Sequence, residues 1–405
     1  MLNGNLLESL DLGDLFRRTA EARGLPGMCY SDADYHRFEQ QRLFGQGWPA
    51  VAVGAELPNP GDLLPVTVAG QPVLLVRDRD GKLQAFHNIC SHRGVVLVAQ
   101  AAHRQPLIRC PYHSWAYGLD GRLLKTPDVG GSGKHSVAGL EPATLGLKPI
   151  RVGLWGDVVF VNLSGTGPEL EDWLGPIARR WKDFDLGLLR YGGSATFSVA
   201  ANWKLAIENA TEFYHLPWVH PGLNSYSGAD RHYFCNAGDR FAGTASADYR
   251  PGKPAGQTLP AFPGLSAELA ARAEYPIIFP NLCFGLMADH VYVHIVHPEG
   301  PNRHRQDFHL YFVGDAAMVP QFAAARAETL ERWRSVNAED IGVIERLQIG
   351  RASDAYGGGR FSAAQDYVSH FFMRSVATHL GFAPPPATPC FRGAEEATAP
   401  VRSSA

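Results

Sequence analysis

No run of about 18 apolar residues occurs in the 405-residue chain, so nothing in it reads as a membrane-spanning helix. The first residues, MLNGNLLESLDLGDLF, lack a basic segment leading into an apolar one, and no signal peptide is visible. Charge of neither sign dominates. Thirty-seven Lys and Arg stand against 40 Asp and Glu, a net −3 with an isoelectric point near 6.6. Nothing there steers the chain toward nucleic acid or anionic lipid. Cysteine is sparse: six residues, at 29, 90, 110, 235, 283 and 390, are too scattered for a disulfide-stapled secreted scaffold. The expectation is a soluble, cytoplasmic protein of a reducing compartment, with no membrane and no nucleic-acid partner. No internal repeat is evident, and no Gly-x-Gly-x-x-Gly dinucleotide fingerprint occurs.

What is present is ordinary globular composition, 45% hydrophobic and 19% charged, in a length suited to two or three domains. Residues 1–45 read as a polar helical arm. Between 46 and 165, short runs rich in Val, Leu and Phe are broken by Ala69-Gly70, Asp80-Gly81 and Asp120-Gly121, the signature of a small all-β domain. From 166 to 390 the chain is mixed. Helical patterns at 169–184 and 203–216 precede strands at 281–297 and 307–313, and a long helix is predicted over 320–349. Residues 391–405 read as a loose tail.

The β region carries Cys90-Ser91-His92-Arg93-Gly94 and then Cys110-Pro111-Tyr112-His113-Ser114-Trp115. Each loop supplies one thiol and one imidazole. Such donors suit zinc or an iron–sulfur cluster. Zinc sites usually pair Cys with Cys and His with His. A cluster in which two Cys hold one iron and two His the other takes one of each from each loop. Zinc is the competing assignment. His87 and His103 fall outside the pattern, as a strand residue and a loop residue.

The second constellation lies in Asn202–Pro221. On a helix, Glu208, Glu212 and His215 share one face. His220 would point about 140° away from His215 on a continuous helix. Pro217 is expected to end or kink the helix and bring His220 back. Two His and one carboxylate with open positions form the ligand set of non-haem Fe(II) oxygenases. In the 320–349 helix, Leu330, Trp333, Ile344 and Leu347 mark the buried stripe. Asp340, seven residues from both Trp333 and Leu347, lies on it. A buried carboxylate needs a cation, so Asp340 is the chosen third ligand, with pairing to an Arg as the alternative. Asn209, one turn before Glu212, either lines the site or is a plain polar helix residue.

The run C-x-H-R-G followed by C-x-Y-H-x-W and Y-G-L-D-G-R-L resembles the Rieske domain of ring-hydroxylating oxygenases. N-W-K-x3-E-N-x2-E-x-Y-H-x4-H-P and N-A-E-D-I-x3-E-R-x-Q-x-G resemble the mononuclear-iron motifs of their α subunits. Together the matches span about 40–350. The resemblance implies an α+β chain: an all-β Rieske [2Fe-2S] domain held by Cys90, His92, Cys110 and His113, and a helix-grip-like catalytic domain with an antiparallel sheet. His215, His220 and Asp340 would hold a mononuclear Fe(II), with O2 as co-substrate. Glu212 would bridge His215 to a Rieske His of a neighbouring subunit in a homotrimer. Most aromatic-ring dioxygenases have Asp where this chain has Glu212, and E-x-Y-H resembles the branch that oxidises carnitine, choline and betaine. The implied activity is hydroxylation or oxidative N-demethylation of a small quaternary or N-methylated amine. Hydroxylation of an aromatic acid is the alternative, and an electron carrier or zinc scaffold is the reading from a different class. A separate NAD(P)H-dependent flavin/iron–sulfur reductase or a ferredoxin would supply electrons. Trp218, Tyr226, Phe234, Phe284 and Tyr292 are the candidate aromatic faces for a cationic substrate.

Overall fold

The computed structural model describes residues 10–236 and 240–382; the 391–405 tail and Cys390 lie outside them. The chain divides into two compact units, Gln40–Leu170 and a second formed by the first 39 residues together with everything from Glu171 onward. Among the described residues no helix is long and apolar enough to cross a membrane.

The Gln40–Leu170 unit is built from small antiparallel sheets. Strands β1 (Ala50–Val53), β8 (Arg151–Trp155) and β9 (Val158–Asn162) form one, in the order β1-β9-β8. A second is β2 (Leu63–Val68), β3 (Gln71–Arg77) and β4 (Leu83–His87). The third is β5 (Ile108–Arg109), β6 (Ala116–Tyr117) and β7 (Leu123–Lys125). The β2–β3 turn shows how the sequence sets the register. Val68 pairs with Gln71, leaving Ala69 and Gly70 at φ +50° and +74° as a two-residue turn, where glycine adopts the left-handed backbone without strain. The core gathers Leu63, Leu74, Val76, Phe86, Ile108 and Trp115, and it includes the two cysteines Cys90 and Cys110.

In the larger unit, α1 (Met28–Ser31) and α2 (Ala33–Glu39) come first, followed by α3 (Leu170–Arg180), which begins at the unit boundary. A seven-stranded antiparallel sheet follows: β10 (Leu189–Val199), β11 (His232–Asn236), β12 (Phe241–Ser246), β13 (Ala273–Ile278), β14 (Leu282–Leu286), β15 (His290–Gly300) and β16 (Arg303–Val313). Its order is β10-β16-β15-β14-β13-β12-β11. Between β10 and β11 lie α4 (Trp203–Ala210), α5 (Leu216–Val219) and α6 (Pro221–Asn224); α7 (Ala267–Ala271), α8 (Ala323–Arg351) and α9 (Tyr367–Leu380) complete the unit. Period-two alternation puts Phe308, Leu310 and Phe312 on one face of β16, in a single cluster with Ala325 and Trp333 of α8. The sheet thus holds the long helix, the antiparallel grip expected.

The first described residues belong to this unit and do not stand apart as an arm. Glu39 is fully buried, accepting from Lys204 Nζ at 2.8 Å and Trp203 Nε1 at 2.7 Å. Glu208 accepts from the Tyr30 hydroxyl at 2.6 Å and pairs with Arg351 at 2.7 Å. These contacts assign the Trp203, Lys204 and Glu208 positions of the motif to architecture. Breaking a buried pair leaves one charge uncompensated. Lys204→Met is therefore expected to destabilise the unit by about 3–5 kcal/mol. Denaturant unfolding measures this, and Lys204→Met with Glu39→Leu should recover most of the loss.

Candidate active site

The two Cys-His loops are built alike. Cys90 N–H donates to Val95 O at 2.9 Å and Gly94 N–H to Cys90 O at 2.9 Å. In the other loop Cys110 N–H donates to Trp115 O at 2.7 Å and Ser114 N–H to Cys110 O at 3.1 Å. The fourth residue after each cysteine is left-handed, Gly94 at φ +72° and Ser114 at +57°. Both thiols are buried and within hydrogen-bonding reach of each other, and Tyr117 Oη lies 3.2 Å from Cys90 Sγ. The imidazoles lie further out. His92 is exposed, stacked on Trp115 with centroids 4.6 Å apart, and 4.8 Å from the His113 ring. Burial, then the neighbouring His113 and Arg93, hold His92 below its ordinary pKa, which favours the neutral ring a metal needs. His113 Nδ1 is buried without a partner. Two paired thiols beneath two adjacent imidazoles, one with an orphaned nitrogen, fit a cluster ligated by two Cys and two His.

Cys110→Ser is expected to abolish such a cluster, and with it the red-brown colour and the electron paramagnetic resonance signal of the reduced protein. A retained spectrum would remove Cys110 from the ligand set.

The second site does not form as the helical reading expects. Helix α4 ends at Ala210, and Glu212 is not helical. The Glu212 carboxylate instead closes the turn, accepting from the Tyr214 and His215 backbone N–H groups and from His215 Nδ1. Pro217 does not end a helix; it sits in the first turn of α5, where its missing N–H costs nothing. The short helices α5 and α6 then carry the chain around so that His220, at their junction, meets His215.

Asp340 and the two histidines converge, with one donor atom from each within 4.8 Å of the others. Asp340 Oδ1 lies 2.8 Å from His220 Nε2 and 3.7 Å from His215 Nε2. Each ring is held from behind. Glu212 takes the Nδ1 side of His215, and Glu339 Oε2 lies 2.6 Å from His220 Nδ1. Carboxylates at Nδ1 fix the tautomer that leaves each Nε2 lone pair facing the convergence point, the usual support of a metal-ligating histidine. Burial pulls the pKa of His220 down, but Asp340 and Glu339 outweigh it and the net shift is upward. A divalent cation would displace that proton on binding. The residues fit a two-histidine, one-carboxylate iron site.

Glu339 was not singled out as a partner of His220. Its signal was its place beside Asp340, since a ligand histidine needs an acceptor at its other nitrogen. The buried face of α8 runs Thr329, Trp333, Asn337, Ile344 and Gln348, whereas Leu347 is 36% exposed and off it. Glu345 accepts from Ala200 N–H and Gln348 from Asn202 N–H, so both brace the start of α4.

A cavity adjoins the triad. Its walls include Phe213, Tyr275, Tyr292, Phe308 and Trp333, and Asn209 lines it. Of the five aromatic candidates only Tyr292 is on the wall. Phe234 packs on Phe213, Phe284 on Trp181 and Tyr226 on Tyr249, while Trp218 is 80% exposed.

One unit thus offers soft thiol–imidazole donors and the other a two-histidine, one-carboxylate triad beside a cavity, which defines a two-centre redox metalloprotein. Residues 47–138 match the Rieske [2Fe-2S] domain, and residues 186–381 the ring hydroxylating alpha subunit (catalytic domain). The chain belongs to the Rieske non-haem iron oxygenases of the ring-hydroxylating alpha-subunit family, whose domains carry the cluster and the mononuclear iron. It is 33% identical to the glycine betaine monooxygenase oxygenase subunit of Pseudomonas aeruginosa over 210 residues, 52% of this chain. That match spans about half, 48%, of the relative's length. The carnitine monooxygenase oxygenase subunit of Escherichia coli K12 is 28% identical over 349 residues, 85% of this chain and 88% of the relative. The crystal structure of the quaternary ammonium Rieske monooxygenase CntA with L-carnitine shares the fold. Its TM-score is 0.75 at 22% identity, covering 91% of this chain and 99% of that one.

Proposed function

We propose that this chain is the terminal oxygenase component of a cytoplasmic system that hydroxylates or oxidatively N-demethylates a small quaternary or N-methylated amine. The observation that carries the reading is the aromatic cavity against the triad. Tyr292 and Trp333 stand with centroids 4.7 Å apart, and Tyr275 lies 6.3 Å from Trp333. Such faces attract an ammonium ion and exclude water from around it. The glycine betaine and carnitine relatives act on amines of this kind.

Cys90, Cys110, His92 and His113 would hold the cluster, and His215, His220 and Asp340 the iron. When bound, these groups supply single electrons and adjacent coordination positions for O2 beside the substrate. The chain's own part is positional. Glu212 and Glu339 hold the His215 and His220 rings, and Glu212 can carry a proton at its contact with His215 Nδ1. Aromatic walls place an N-methyl group against the triad. Electrons would come from a separate NAD(P)H-dependent flavin/iron–sulfur reductase or a ferredoxin. The working unit would be a homotrimer, with Glu212 reaching the partner subunit's cluster ligands.

The test is reductase-driven oxygen uptake over a panel of N-methylated amines and aromatic acids. An amine should accelerate uptake and release formaldehyde or a hydroxylated product. Coupling by aromatic acids alone would overturn the amine assignment.

A further inference from the structure

Two side chains lining the cavity have their hydrogen-bonding polarity fixed from behind by a backbone carbonyl, a group that can only accept. The first is His232, set between the Phe213 and Tyr275 rings. Its Nδ1–H donates to Gly228 O at 2.9 Å. Burial holds the ring below its ordinary pKa and keeps it neutral, so Nε2 carries a bare lone pair.

The second is Asn337, and its polarity is set through a relay. His304 Nδ1 donates to Ala201 O at 2.6 Å, and burial lowers His304 to about 4, which keeps it neutral. His304 Nε2 must then accept, and its partner is Gln306 Nε2 at 3.0 Å. That turns Gln306 Oε1 toward Asn337, whose Nδ2 donates to it at 2.8 Å. The Asn337 nitrogen thus points into the relay. Its Oδ1, with no partner among the described residues, is left for the cavity that Asn337 lines. All three relay side chains are buried. Reversing either amide there would set like groups against each other and leave a hydrogen bond unmade.

A bare imidazole nitrogen and an amide oxygen are both acceptors, with or without a metal at the triad. The ligand has to bring the donors. A quaternary ammonium has none on its nitrogen, whereas a tertiary or secondary N-methylammonium ion keeps an N–H beside the methyl group. Asn337 stands three residues before Asp340 on α8, which puts their Cβ atoms about 5–6 Å apart. With the N-methyl group against the triad, the donor placed to reach Asn337 Oδ1 is the one on the same nitrogen. Resting on the amine reading above, we propose that the preferred substrate is a protonated tertiary or secondary N-methylamine, not a quaternary one, with its N–H donating to Asn337 Oδ1. Asn337 is then the specificity-determining residue, and Gln306 and His304 are positioning residues that hold its amide in that orientation.

The experiment is anaerobic equilibrium binding near neutral pH, by calorimetry on the metal-loaded full chain. Three probes suffice: trimethylammonium, tetramethylammonium and benzoate. The two cations differ only in one N–H replaced by a methyl group, and apolar burial alone favours the larger. Trimethylammonium should nonetheless bind about tenfold tighter, the scale of one hydrogen bond from a charged donor. Asn337→Leu should erase that preference and leave tetramethylammonium affinity unchanged. His304→Leu, which frees the Gln306 and Asn337 amides to turn, should weaken the preference, whereas His304→Gln can still donate to Ala201 O and accept from Gln306 and should retain it. This second pair serves if the Asn337 variant fails to fold. Tetramethylammonium binding as tightly as trimethylammonium overturns the proposal while the amine reading stands. So does a preference that survives Asn337→Leu, or one that is the same in His304→Leu as in the wild type. Failure of both ammonium ions to bind, with or without binding of benzoate, overturns the amine reading and the proposal together.

Discussion

Asp340→Asn is expected to abolish turnover and release the mononuclear iron while the Rieske spectrum stays intact. Asp340 supplies the only charged donor of the triad, at 2.8 Å from His220 Nε2, and a neutral amide oxygen is a far weaker donor than an anionic one toward a divalent iron. The proposed cluster ligands lie in the other compact unit, which confines the effect to one metal. Glu339→Gln provides the graded control. It replaces the anionic acceptor behind His220 with a neutral amide and keeps all three donors, so iron affinity should fall roughly 10–100-fold, with activity restored by excess Fe(II). Asp340→Asn should lie beyond that range and resist rescue. Metal analysis with oxygen-uptake assays reads both. Normal iron content in Asp340→Asn would move the ligand role to another carboxylate. Glu345 is poorly placed to take it, being spent on Ala200 N–H.

The donor residues were legible because metal chemistry demands particular atoms at particular spacings. Cys90, His92, Cys110 and His113 sit in tight loops, where local sequence dictates local shape: the left-handed residue four after each cysteine is what closes each turn. The path between His215 and His220 was less legible. Helical periodicity placed Glu212 and His215 on one face, whereas Glu212 competes for backbone N–H groups and stops the helix, as short-range side-chain acceptors do. Helix α8 was readable at Asp340 but misread at Leu347, because its buried face carries Thr329, Asn337 and Gln348 in place of hydrocarbon. Asn337 and Gln348 are spent on tertiary hydrogen bonds that no hydropathy pattern encodes, and Thr329 donates to Ala325 O one turn back in the helix. The same applies to Trp203 and Lys204, whose partner Glu39 lies more than 160 residues away in sequence.

The last expected result concerns which cluster serves which iron. Tyr214 and Trp218, 59% and 80% exposed, bracket His215 in sequence, and exposed aromatics of that size suit a contact surface. Around the cluster ligands Tyr112 is 58% exposed and stacks on His113 at 3.7 Å. These are two different surfaces, one on each unit. A contact that pairs unlike surfaces of identical chains is head-to-tail, and it closes into a ring when its rotation is a whole fraction of a turn. In the proposed trimer, each subunit would then present His113 to the partner subunit's Glu212, which already holds His215. Co-expressing a Cys110→Ser chain with a His215→Ala chain separates the alternatives. Every chain has one dead centre, so transfer within a chain gives no activity in any assembly. With transfer between neighbours, each mixed ring of three keeps one interface joining a live cluster to a live iron. Random mixing in equal amounts should therefore restore about a quarter of wild-type activity. Each variant alone must be inactive, and differently tagged chains purified in tandem verify that mixed rings were present. Verified mixed rings without oxygen uptake would overturn the bridging role of Glu212 and place the electron path inside each chain.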